Sequence, residues 1–257
     1  MIGFKTLLKR EVARFLKVLV QTLVTPLVSS TLYLLVFGVS LGSQVQLNSG
    51  VSYLAFLIPG LMMMGLINNA FQNASSSIVS AKFSGDLEDL RVAPLTNFEI
   101  VMALSTGALV RGALVAFITY LVGAVFYYMN SQEVVGIAHP FVMLCFVVMA
   151  GLMFGFIGIS VAFWAKTFDQ LSAFSAFILL PLTYLGGVFI SIEQLHPLWQ
   201  KVSLANPLLY LINGLRYGVL GTSDVSLLAS FGVSAAGVVV FYVVAFWSIE
   251  KGSFQRW

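Results

Sequence analysis

Charge is what this chain of 257 residues most lacks: Lys, Arg, Asp and Glu together make up 9% of it, against about 25% in a soluble domain. So sparse a polar surface excludes a water-solvated globule of this size. The single cysteine, Cys145, sits inside an apolar run, which excludes an internal disulfide framework and a cysteine metal cluster and leaves the redox compartment open. Only two histidines are present, His139 and His196, each beside a proline and with no carboxylate or cysteine at a useful spacing, so catalysis by a membrane-embedded enzyme lacks its acid, base and nucleophile. No lysine follows a glycine, and the phosphate-cradling sequence Gly-x-x-x-x-Gly-Lys-Ser/Thr is therefore missing. ATP binding must belong to another chain.

What the chain has in excess is apolar side chains, 59% against roughly 45–50% in soluble proteins. They fall into runs of about 20 residues or more, the length that crosses a hydrocarbon core of roughly 30 Å. Peptide groups in such a core must bond within their own helix. The expected fold is therefore an all-α integral membrane protein with six transmembrane helices over residues 18–41, 53–74, 98–129, 139–164, 171–190 and 227–249. No linker or trustworthy repeat divides it, so residues 1–257 read as one membrane domain. Ahead of the first span, Phe4, Leu7, Leu8, Val12, Phe15 and Leu19 recur at helical spacing with Lys5, Lys9, Arg10, Arg14 and Lys17 between them, which predicts an amphipathic interfacial helix over 1–17. The apolar run that follows exceeds the roughly 7–15 residues of a signal-peptide core, so it is expected to stay as a span.

The net charge of +3 and pI near 9.0 would suggest nucleic acid in a soluble protein, but here the cations obey a membrane rule, and no nucleic-acid partner is expected. Six spans put both termini on one side. That side collects ten of the thirteen Lys and Arg, whereas Lys201 and Arg216 lie on the other, so both termini are expected in the cytoplasm. The remaining cation, Arg111, falls within the third span, roughly 20 Å along it at 1.5 Å per residue. An Arg at such depth costs at least about 2.5 kcal/mol, so it either lines a polar cavity or snorkels to the inner surface. Of the acids near the spans, Glu99, Asp169, Asp224 and Glu250 all lie near predicted ends, which weakens the rival assignment of a self-sufficient secondary transporter or channel. Ser75, Ser76 and Ser77, like the glycine pairs Gly38/Gly42, Gly151/Gly155 and Gly214/Gly218, are expected to serve close packing within a subunit, with a dimer seam as the second use. Trp164, Trp199 and Trp247 near span ends have the character of interface anchors.

Two connections are too structured to be plain loops. In the inner segment 82–95, Leu87 and Leu90 share one face of a short helix while Asp86, Glu88, Asp89 and Arg91 point elsewhere, a pattern suited to docking into a partner's groove, or else a solvated turn. The outer segment 191–226 is semi-apolar and broken at His196-Pro197 and Asn206-Pro207, which predicts two short helices entering the outer leaflet and returning.

The stretch Gly85-Asp86-Leu87-Glu88-Asp89-Leu90 with Ala93-Pro94-Leu95 resembles the coupling segment of type-2 ABC exporter permeases. The outer sequences Leu185-Gly186-Gly187-Val188-Phe189, Leu195-His196-Pro197-Leu198-Trp199, Asn206-Pro207-Leu208-Leu209-Tyr210 and Arg216 with Leu220-Gly221 are similar to that family's signature after span five. With the basic N-terminal helix and six spans, the resemblance covers essentially the whole chain and is closest to a group of bacterial inner-membrane transport permeases. It implies a dimeric, non-catalytic permease of the cytoplasmic membrane that engages two separate ABC ATPase subunits, which bind ATP and Mg. It further implies Asp86, Leu87, Glu88, Leu90 and Arg91 as the ATPase contact and Trp199, Asn206, Pro207, Tyr210 and Arg216 as an outer re-entrant gate.

Overall fold

The structure is a computed structural model that describes residues 2–40, 42 and 50–252, with the side chains of Ile2 and Arg91 left aside. Leu41, the last residue of the first expected span, and the terminal cation Arg256 lie outside the described residues. Among the described residues all regular structure is helical, and six helices are long and apolar enough to cross a membrane.

Helix α1 (Ile2–Leu16) precedes the first span, which consists of α2 (Leu19–Tyr33) continued by a π-helical stretch, Leu34–Ser40. Then come α3 (Tyr53–Ser84), the short α4 (Asp86–Val92), α5 (Asn97–Ser131) and α6 (Pro140–Trp164). The fifth span is composite: α7 (Phe168–Phe174), a π-helical turn (Ser175–Leu179) and α8 (Leu180–Leu185). After it, α9 (Pro197–Leu204) and α10 (Pro207–Leu220) lead to α11 (Leu227–Lys251). Polar residues set where the helices begin. Ser52, Thr96, Thr167 and Ser226 each accept a backbone N–H from the first turn, and Glu99 completes a capping box with Thr96. Pro197 and Pro207 occupy the first turns of α9 and α10, where the missing N–H costs nothing; they start these helices.

Helix α3 is the axis of the fold. It packs on both α5 and α6, and its side chains are buried over most of its length, whereas α11 and the fifth span bury few of theirs, as lipid-facing helices do. The close approach of α3 and α6 depends on Gly158, where a Cβ would lie 2.7 Å from the Phe71 carbonyl oxygen and 3.1 Å from Ala74 Cβ. A backbone atom cannot swing aside, so Gly158→Val is expected to cost about 1–3 kcal/mol by overpacking. Its thermal unfolding midpoint in mild detergent should drop below that of Gly232→Ala, a site with nothing within 4 Å. The glycine pairs of α6 and α10 are likewise occupied inside the chain: Gly151 faces Leu109 and Gly155 faces Ser105 on α5, while Gly214 and Gly218 face Phe146 and Met143 on α6.

At the cation-rich end, α1 lies along α5 and buries Leu7, Glu11 and Phe15 at four-residue spacing. The apolar stripe expected for lipid is thus partly turned toward protein, because Gly107 on α5 leaves room for the Glu11 stem. Lys82, on the last turn of α3, is 1% exposed and donates to the Ala162 and Phe163 carbonyl oxygens, 2.8 and 3.0 Å away, at the C-terminus of α6.

Candidate functional site

Between α2 on one side and α7 on the other, floored by α3 and α5, lies a cavity of about 630 Å³. Its polarity is built from stripes. On α2, Gln21, Thr25 and Ser29 line it at four-residue spacing; on α3, Asn68, Gln72 and Ser76 do the same; the fifth span adds Ser172 and Ser175. The opposite face of α2 carries Val20, Val24 and Leu27, all exposed, so that helix separates an oily surface from a polar one. The wall is locally irregular. Pro26 interrupts α2 beside the cavity, and Ser175 opens the π-helical turn and donates to Asn68 Oδ1 at 3.3 Å. α2 leans on α5 and α7 on α3, leaving the cavity between them.

Two guanidinium groups reach this space, and among the described residues no carboxylate lines it. Arg14, from α1, is held in place: it donates to the Asn73 carbonyl oxygen at 2.6 Å and to Ser76 Oγ at 3.3 Å, and its Nε donates to Glu11 Oε2 at 3.3 Å. Glu11, fully buried, is also bonded by Arg10 at 3.3 Å. Arg111, from the middle of α5, lines the cavity, and its buried Nε has no hydrogen-bond partner among the described residues.

Beyond the end of α3, Gly85 adopts φ 88°, a left-handed conformation open to glycine, and this reverses the chain into α4. Leu87 (2% exposed) and Leu90 (8%) are turned inward and tie α4 to its own chain. They are therefore not knobs offered to a partner. The outward face consists of Asp86, Glu88 and Asp89, with Val92 exposed at the helix end; the Arg91 side chain lies outside the described residues.

A family model for the ABC-2 type transporter matches residues 2–220. The chain belongs to the ABC-2 type transporter family. It is a permease component of such a transporter and not a catalytic subunit. It is similar to the inner membrane transport permease YadH of Escherichia coli K12, 39% identical over 252 residues, which cover 98% of this chain and 96% of that protein. It is more distantly similar to nodulation protein J of Rhizobium leguminosarum bv. viciae, at 23% identity over 92% of this chain and 90% of that protein.

In this ABC-2 permease the outer residues singled out in the sequence divide by role. Asn206 caps α10 by accepting Leu208 N–H at 3.0 Å and donates to the Leu182 carbonyl oxygen at 2.7 Å, so it ties the start of α10 to the fifth span. Pro207 begins α10, and the Tyr210 hydroxyl donates to the Leu204 carbonyl oxygen at 2.8 Å, which closes the turn between α9 and α10. Trp199 remains half exposed on α9. Arg216 is 1% exposed: its Nη2 donates to the Gly187 carbonyl oxygen at 2.6 Å, its guanidinium lies 3.8 Å over the Phe56 ring, and Nη1 is 3.8 Å from Asp224 Oδ2. It braces the interior and does not face an opening.

Sequence reasoning singled out Arg111 for its depth but passed over Arg14 and the stripes on α2 and α3. A signal for them existed. Gln21, Thr25 and Ser29, and again Asn68, Gln72 and Ser76, repeat every four residues in or beside predicted spans, which marks a face turned away from lipid.

Proposed function

We propose that two copies of this permease form a translocation path across the bacterial cytoplasmic (inner) membrane and export an amphipathic or hydrophobic compound from the cytoplasmic side. Both chain termini and α4 face the cytoplasm, and α9 and α10 form a re-entrant pair on the outer side. Each copy engages one ABC ATPase subunit through α4, and ATP and Mg are bound by that subunit. The observation that carries this is the construction of α4 beside the family membership. Leu87 and Leu90 hold the helix on α3, so a push on its acidic outer face is transmitted to the helix that floors the cavity. A rigid, exposed row of Asp86, Glu88 and Asp89 suits a basic groove on the ATPase, where charge pairing sets register and partner choice. The cavity, bounded by α2 and α7 with a gap between them, is the half of a path that a second copy completes.

Charge reversal at Glu88 tests the docking. Glu88→Lys, made in the full chain and co-expressed with its ATPase, should weaken association roughly tenfold or more and remove transport-coupled ATP hydrolysis, because like charges across an interface cost several kcal/mol. The unfolding midpoint should hold, since the side chain is exposed. Unchanged co-purification and coupled hydrolysis would remove α4 as the ATPase contact.

A further inference from the structure

We propose that the cavity between α2 and α7 binds an anionic, hydroxyl-bearing head group, of the glycerol-phosphate or sugar-phosphate kind, with Arg111 as its charge partner. The proposal rests on the permease assignment and adds the class of molecule that the permease accepts.

The sign of the site comes first. Arg14 and Arg111 line the cavity, and among the described residues no Asp or Glu does. Glu11 lies off the cavity and is shared between Arg10 and Arg14, so these three residues together keep a net charge of +1 beside it. Two cations without a facing acid repel a cationic ligand and attract an anionic one. Arg14 is already anchored to Asn73, Ser76 and Glu11, so it supplies field at the rim. Arg111 is the uncommitted arm: among the described residues its buried Nε has no hydrogen-bond partner, and neither has Thr22 Oγ1, which lines the cavity from α2. Buried donors without acceptors are the exception in folded proteins, and a planar guanidinium suits the paired oxygens of a phosphate or carboxylate.

Size and lining narrow the class further. A volume of about 630 Å³ lies within the roughly 300–1,000 Å³ of cavities that enclose organic ligands and far exceeds an inorganic anion alone. The amide stripe of Asn68 and Gln72 faces the hydroxyl stripe of Thr25 and Ser29, and both provide donors and acceptors for neutral hydroxyl groups. A wholly apolar compound would leave all of these groups dry and unpaired. The exposed apolar face of α2, on the far side of the same helix, leaves an attached acyl chain a place in the bilayer.

The test is equilibrium binding to the purified full-length chain in an uncharged polyoxyethylene detergent. The probes are glycerol 3-phosphate, dihexanoyl-phosphatidylglycerol, zwitterionic dihexanoyl-phosphatidylcholine and cationic dodecyltrimethylammonium. Saturable binding is expected for an anionic probe, weakened at least about tenfold by Arg111→Gln and largely retained by Arg111→Lys. Equal binding of the two phosphates assigns the ligand to free phosphate compounds, and binding of phosphatidylglycerol alone assigns it to lipid. Either result supports the proposal. Binding of the zwitterionic or cationic probe as tight as that of the anionic ones, no saturable anionic binding, or an unaltered Arg111→Gln affinity would overturn it. Comparison of the four probes on the unmodified chain stands even if the glutamine variant fails to fold. Loss of co-purification with the ATPase would count against the permease assembly and leave the binding result in place.

Discussion

Arg216→Met should cost about 3–5 kcal/mol of folding stability, the range found when one partner of a buried ion pair is removed. Three elements meet on this guanidinium: the turn at Gly187 after the fifth span, the first turns of α3 through Phe56, and the α10–α11 connection through Asp224. Asp224 itself is fixed by Ser191 Oγ–H at 2.8 Å and Ile192 N–H at 3.1 Å, and its own N–H donates to Asn213 Oδ1 at 2.9 Å. Removing the Arg therefore leaves a carboxylate in a frame shaped for a cation and strips the Gly187 carbonyl of its donor. Asp224→Asn in the same chain should recover part of the loss, because neighbouring sites couple and the uncompensated charge disappears. The measurement is the thermal unfolding midpoint in mild detergent. A single variant as stable as the parent, or a double variant that loses the sum of the two single losses, would show that Arg216 is not a brace.

Lys82→Met carries the next largest expected effect, about 1.5–3 kcal/mol for charge-assisted hydrogen bonds lost from a buried site. The ammonium caps the last carbonyls of α6, where the helix dipole also favours a cation, and it lies 5.3 Å from the centre of the Phe163 ring. Methionine fills the same stem volume but leaves the Ala162 and Phe163 oxygens without this donor. Because Lys82 stands one turn before Gly85 and α4, the loss should also loosen the acidic helix relative to α6. Faster proteolysis near 85–95 in the variant, with a lowered unfolding midpoint, would report that effect. An unchanged cleavage rate would confine Lys82 to a local cap.

Particular residues show how far the chain could be read without coordinates. The run of apolar residues from 139 to 164 could hardly be anything but a span, and α6 occupies Pro140–Trp164. The proline breaks at 197 and 207 announced two short helices, though as their first turns and not their ends. Arg111 was marked out by the cost of its depth alone. The orientation of Leu87 and Leu90 was not legible: their spacing defines a face, and only the packing of α4 on α3 says that the face turns inward. Arg216 is grouped with the gate residues by the family resemblance and the neighbouring proline breaks; its partners lie far along the chain, at Phe56 and Gly187, and no local pattern brings them together.

Composition and run length by themselves determined that this protein is all-helical with six segments long and apolar enough to cross a membrane, since the energetics of peptide groups in hydrocarbon act segment by segment. Tertiary structure alone decided that α3 is the axis, that α1 lends Arg14 to a cavity formed mainly by other helices, and that the described residues around that cavity include two cations and no acid. Those facts depend on which faces of distant segments meet, and helix–helix contact is set by the shape of both surfaces at once.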